Sequence, residues 1–219
     1  FAVLEEELRE FLVLVNNGEF FDRFQIAKDQ RVIKDIAISG NGEPTSLKTF
    51  DRAIRLIGDI AREQGIFPDA RFVVISNGSL IHLPHVQQGL RELARFNGEL
   101  WFKLDSATAE GRSLINDSQQ SQITLLKNLK LSSGLCTVKL QTCVFHYRHA
   151  WSAPEKIAYL ALLDTLKRQD INIRQILLYS IARASCQPEA AELTRMTDEE
   201  MECLAADITT LGYDVSVNV

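Results

Sequence analysis

Six short apolar runs in this chain are each separated from the next by a stretch whose apolar residues recur at helical spacing. The runs lie at residues 32–39, 72–75, 100–104, 137–145, 173–180 and 214–217. Leu4, Leu8, Phe11, Leu12 and Val15 form a stripe ahead of the first run, closed by Asn17-Gly18. Leu47, Phe50, Ile54, Ile57 and Ala61 form the next, ending at Gly65. Val86, Leu90, Leu93 and Phe96 end at Asn97-Gly98, and Ile123, Leu126 and Leu129 end near Gly134. The last two helices open on Ser152-Ala-Pro-Glu155 and Thr197-Asp-Glu-Glu200, both with the spacing of a capping box. Strands separated by whole helices pair in parallel through right-handed crossovers. The expectation is one α/β domain over residues 1–219, a parallel sheet covered by helices.

Composition narrows the function classes. A formal net charge of -5 supplies no basic surplus for phosphate contacts, so nucleic acid is an unlikely partner. No apolar run reaches the ~20 residues of a membrane span, and no basic-then-apolar leader opens the chain, so a cytoplasmic location is expected. The chain begins at Phe1 and runs at once into a helical pattern, which suggests that the N-terminus is incomplete. The cysteines are Cys136, Cys143, Cys186 and Cys203. The first two fall on opposite faces of one strand and the others stand alone, so reduced, mostly buried thiols are expected rather than a metal site.

In parallel α/β sheets, ligand-binding groups gather at the C-terminal ends of the strands, where the following loops share one rim. The first run continues into Ser39-Gly-Asn-Gly-Glu-Pro-Thr45, a glycine-flanked carboxylate with free backbone N–H groups beside it. The plain alternative is a strand-to-helix turn capped by Thr45 or Ser46. The second run ends in Ser76-Asn77-Gly78 and the third in Lys103-Leu-Asp105. Lys103 and Asp105 share one strand face and cannot stay buried unpaired, so they either pair with each other or meet a ligand. Gln141 and Arg183 fall near later rim positions.

This order of motifs, with Asn-Gly-Glu-Pro on a strand end as its most specific part, resembles the radical S-adenosylmethionine (SAM) enzymes over nearly the whole chain. The resemblance implies a TIM-like parallel partial (β/α) barrel whose first strand is missing from this sequence. It further implies that Asn41, Gly42, Glu43 and Pro44 hold the methionyl amino group of SAM, with Glu43 accepting from the ammonium. Ser76, Asn77, Lys103, Asp105 and Gln141 would then face its carboxylate and ribose. The family's Cys-x3-Cys-x2-Cys loop, which holds a 4Fe-4S cluster, is absent here and is expected upstream of Phe1. The implied chemistry is reductive cleavage of SAM to a 5'-deoxyadenosyl radical, with the cluster present only in the full-length protein. The implied partners are a small-molecule or peptide substrate and a reductant such as a flavodoxin or ferredoxin. The alternative is a clusterless barrel that binds a ligand or partner as a pseudoenzyme.

The histidines come in two pairs, His82-x2-His85 and His146-x2-His149. Such pairs can ligate zinc, but no carboxylate partner is evident and no metal is assigned to them. His146, Tyr147, His149 and Arg183 are instead candidates for a substrate-lining mouth, against the alternative that Trp151 merely packs onto the helix that Ser152 starts.

Overall fold

The computed structural model describes residues 1–40, 42–182 and 185–218. The chain runs α1 (Ala2–Asn16), α2 (Glu19–Arg23), β1 (Asp35–Ile38), α3 (Phe50–Glu63), β2 (Arg71–Ser76), α4 (Pro84–Arg95) and β3 (Glu99–Lys103). It continues with α5 (Ala109–Asn116), α6 (Gln122–Ser133), β4 (Thr137–Cys143), β5 (Phe145–His146) and α7 (Ala153–Arg168). The last elements are β6 (Gln175–Tyr179), β7 (Thr194–Arg195), α8 (Asp198–Thr210) and β8 (Val215–Asn218).

The main sheet has six strands in the order β1-β2-β3-β4-β6-β8, every pairing parallel. A monotonic order with crossovers of one hand puts all the connecting helices on one face, as in a barrel wall. Phe72, Val74, Leu100, Phe102, Val138, Leu140, Ile176 and Leu178 face that way and share one core with Ile54, Leu90, Leu93, Leu129 and Leu163 of the helices. Full burial of such side chains contributes roughly 1.5–3 kcal/mol each. The alternate residues line the other, concave face in slanted rows. Ile75 pairs with Trp101, Trp101 with Lys139, and Lys139 with Gln175. One layer nearer the rim, Lys103 pairs with Gln141 and Gln141 with Leu177.

Several expectations needed correction. The first run yields only β1, because Val32 is exposed ahead of an edge strand. The fourth run is broken: β4 stops at Cys143, and β5 pairs antiparallel with β7 in a separate small ribbon. In α1, Leu12 and Val15 are buried while Leu4 and Phe11 stay exposed, Phe11 packing edge-on against Phe20 of α2. Thr197 and Glu200 form the expected capping box, but Ser152 makes no side-chain cap, and Glu155 turns elsewhere. Cys136 and Cys143 are half-buried, whereas Cys186 and Cys203 are exposed. Among the described residues no helix is long and apolar enough to cross a membrane.

Candidate functional site at the strand rim

The loop after β1 is shaped by Glu43. Its backbone is extended and it caps the single turn Pro44–Ser46. Oε1 accepts from the Thr45 N–H (3.1 Å), the Thr45 hydroxyl (2.5 Å) and the Ser76 hydroxyl (2.6 Å), while Oε2 accepts from the Asn77 N–H (2.9 Å). The carboxylate therefore ties the end of β1 to the end of β2 and is fixed in place before any ligand arrives. Among the described residues it forms no ion pair. Gly42 beside it has φ +128°, and a Cβ there would meet nothing within 4 Å, so the approach to the main chain is open. An apolar groove of about 770 Å³ runs along this loop, with Leu4, Ile38, Pro44, Leu47 and Ile57 among its lining residues.

At the end of β2 the Asn77 side chain accepts from the Ser79 N–H (2.9 Å) and closes a turn. Gly78 takes φ +69°, and a Cβ would stand 2.1 Å from the Phe102 ring, so both conformation and space demand glycine there. Asn128 of α6 secures the turn by donating to the Gly78 carbonyl (2.8 Å).

Beyond β3, Lys103 and Asp105 pair with each other at 2.5 Å. Asp105 is 1% exposed and also accepts from Asn116 (2.8 Å) and from the Cys143 N–H (2.9 Å). With both oxygens engaged inside, it orients Lys103, and Lys103 is the half-exposed member facing the concave side. Burial would lower the pKa of the Lys103 ammonium, but the Asp105 carboxylate overrides this and holds it above the ordinary lysine value. Burial, reinforced by Asp105, pushes the Cys143 thiol up to about 11. The Tyr179 hydroxyl, 3.4 Å from Lys103, rises to about 12 chiefly through burial. The rim is thus set with a cationic lysine, a neutral thiol and a neutral phenol at pH 7. Gln141 lies in register between Lys103 and Leu177 on the same face.

The other candidates make no side-chain hydrogen bond to Glu43, Lys103 or Asp105 among the described residues. His146 sits in the β5–β7 ribbon with Nε2 3.1 Å from Glu200. Tyr147 is buried beneath the Arg148 guanidinium, and His149 is exposed. Trp151 is buried, donates to the Cys143 carbonyl (3.2 Å) and packs on Tyr159, as the packing alternative required. Asn41 and Arg183 lie outside the described residues. Among the described residues no three His, Cys, Asp or Glu side chains come close enough to hold a metal ion. Sequence reasoning missed Asn116, Asn128 and Tyr179. Tyr179 was findable as the residue that ends a parallel strand at the same rim, whereas the two asparagines carry no local signal.

No protein-family profile matches the chain, and no curated protein is similar to it in sequence. Solved structures are similar. A radical SAM methyltransferase from Sphaerobacter thermophilus superposes with a TM-score of 0.60 at 16% identity, over 84% of this chain. This chain spans 50% of that protein's length. A domain of pyruvate-formate lyase-activating enzyme from Bacteroides vulgatus gives a TM-score of 0.57 at 13% identity, over 85% of this chain and 99% of that domain. Together with six parallel strands in monotonic order and helices on one face, these likenesses establish a radical SAM-like fold, an open parallel (β/α) barrel.

Proposed function

We propose that this chain is the body of a radical SAM enzyme and that its rim binds SAM through Glu43. The observation that carries the reading is a carboxylate held at the rim by four donors, with no cation of its own among the described residues. An ammonium group fits that position. In such enzymes bound SAM supplies a sulfonium that is cleaved reductively. Glu43 would accept from the methionyl ammonium. Ser76 and Thr45 act through Glu43 by orienting its carboxylate, and Asn77 through its backbone N–H. Lys103, oriented by Asp105, offers a cation to the ligand's carboxylate, and Gln141 an amide on the same face. A 4Fe-4S cluster does not fit the described residues of this chain, whose cysteines are scattered over the fold. Because one structural neighbour is named an activating enzyme of another protein, a peptide segment as well as a small molecule suits the substrate class. A reductant of the flavodoxin or ferredoxin kind belongs to the same reading.

Glu43→Gln tests it. The amide keeps the shape and one acceptor while removing the charge, and a charge-assisted hydrogen bond contributes about 1.5–3 kcal/mol, roughly a ten- to a hundredfold change in affinity. Calorimetric titration with S-adenosylhomocysteine should show that loss. Equal affinity in both proteins, each shown folded by thermal melting, would overturn the assignment.

A further inference from the structure

Glu155, the third residue of α7, is a carboxylate only 5% exposed that lies outside the group of side chains assigned to ligand binding. Its Oε1 accepts from the Ser106 hydroxyl (2.6 Å) and the Ala107 N–H (2.9 Å), and Oε2 from the Thr108 hydroxyl (2.7 Å). Arg112, 3% exposed, holds the same segment by donating to the Ala107 carbonyl (2.8 Å) and, through its other terminal nitrogen, to the Gln120 carbonyl (3.0 Å). A buried carboxylate and a buried guanidinium therefore grip Ala107 by its N–H and its C=O. Arg112 also donates to the Gln122 side-chain carbonyl (3.2 Å), and since neither Glu155 nor Arg112 forms an ion pair within 4 Å among the described residues, each charge is offset by the hydroxyl, amide and carbonyl dipoles it bonds and by the other's field.

The segment they hold begins directly after Asp105. The Thr108 hydroxyl also caps α5 by accepting from the Gly111 N–H (3.0 Å), and Asn116 at the far end of α5 donates to Asp105 (2.8 Å). The chain thus forms a closed circuit that starts and ends at Asp105, fastened from α7 by Glu155. A glutamate at this helix position ordinarily turns back to its own N-cap. Here three donors from a different loop have displaced that local contact.

We propose that Glu155 is a positioning residue, which with Arg112 locks residues 106–108 so that Asp105 presents Lys103 at the rim. This deepens the reading of the rim as a ligand site and rests on it, but its structural half can be measured without ligand. The Cys143 amide donates to Asp105 and reports on that carboxylate's placement. In Glu155→Gln, which leaves the Thr108 hydroxyl without its acceptor, native-state hydrogen exchange of the Cys143 amide should accelerate at least tenfold relative to the core amides of Val74 and Leu140. The Asn77 amide, bonded to Glu43 on the other side of the rim, should keep its wild-type ratio to them. Affinity for S-adenosylhomocysteine should fall three- to tenfold. An unchanged Cys143 amide overturns the proposal, and so does one common acceleration of all amides, which would make Glu155 a general stabiliser. If the Cys143 amide accelerates while neither protein binds S-adenosylhomocysteine, the positioning role stands and the ligand reading falls. Should Glu155→Gln not fold, Ser106→Ala removes one of the three bonds and should give the same local signature at about threefold, with no local change counting against the proposal.

Discussion

At the scale of single residues, the rim depends on a few atoms with no slack. Gly78 combines a left-handed backbone with a ring 2.1 Å from where a Cβ would stand. Gly78→Ala should therefore cost roughly 2–4 kcal/mol, adding left-handed strain to overpacking against Phe102. The shift in the urea midpoint measures it, and a variant as stable as the parent would mean that the turn re-forms differently. Glu43 was legible in the sequence because a carboxylate between glycines and a proline, directly after an apolar run, has few uses other than at a strand end. Glu155 was not. Its spacing from Ser152 satisfies a capping box as well as that of Glu200 from Thr197 does, and only the tertiary placement of Ser106, Ala107 and Thr108 decides which donors the carboxylate takes. Lys103 and Asp105 were legible as a pair, but not the burial that makes one the support of the other.

Among the elements, strands were easier to read than short helices. A parallel strand buried by helices is a nearly continuous apolar run, which β2, β3 and β6 display, whereas in β4 the core-facing Val138 and Leu140 alternate with Lys139 and Gln141. Helix α5 has Leu114 and Ile115 side by side and so offers no stripe, and β5 and β7 are two residues each, below what alternation can signal. Two predictions belong here. The outer edge of β1 has no partner strand among the described residues, and an unpaired edge invites pairing with another chain. Sedimentation velocity should show self-association that grows with concentration, and a monomer at every concentration would count against an accessible edge. The second concerns the start of α8. The Thr197 N–H, followed by His146, holds the Glu200 carboxyl below its ordinary pKa. A depressed carboxylate stabilises above its unfolded value of about 4.3 and loses that contribution as pH falls through the lower, folded value. Stability should thus decline below about pH 4, by no more than ~1 kcal/mol for so exposed a pair. Urea midpoints at pH 3 and pH 7 should differ less in Glu200→Gln than in the parent, and equal differences would remove Glu200 from the account.

For the molecule as a whole, the alternation of runs and stripes sufficed to give the fold class, since five helix-bearing crossovers between six strands leave few topologies open. It did not give the concave face. The residues there are a mixture: Glu99 pairs with Lys139 at 2.9 Å, and Arg71 lies over Trp101. No period marks such a set as partly buried, because its burial comes from curvature rather than from a covering helix. The order β1-β2-β3-β4-β6-β8 also has a consequence for how the polypeptide is made. In the main sheet each strand pairs only with the ones synthesised just before and just after it, so nothing made late has to be threaded between strands already joined. On the ribosome the sheet can grow by accretion, one crossover at a time. Throughout that growth the outer edge of β1 stays where it is while the opposite margin advances from β1 to β8, so a nascent-chain chaperone would have one fixed and one travelling edge to shield from neighbouring chains.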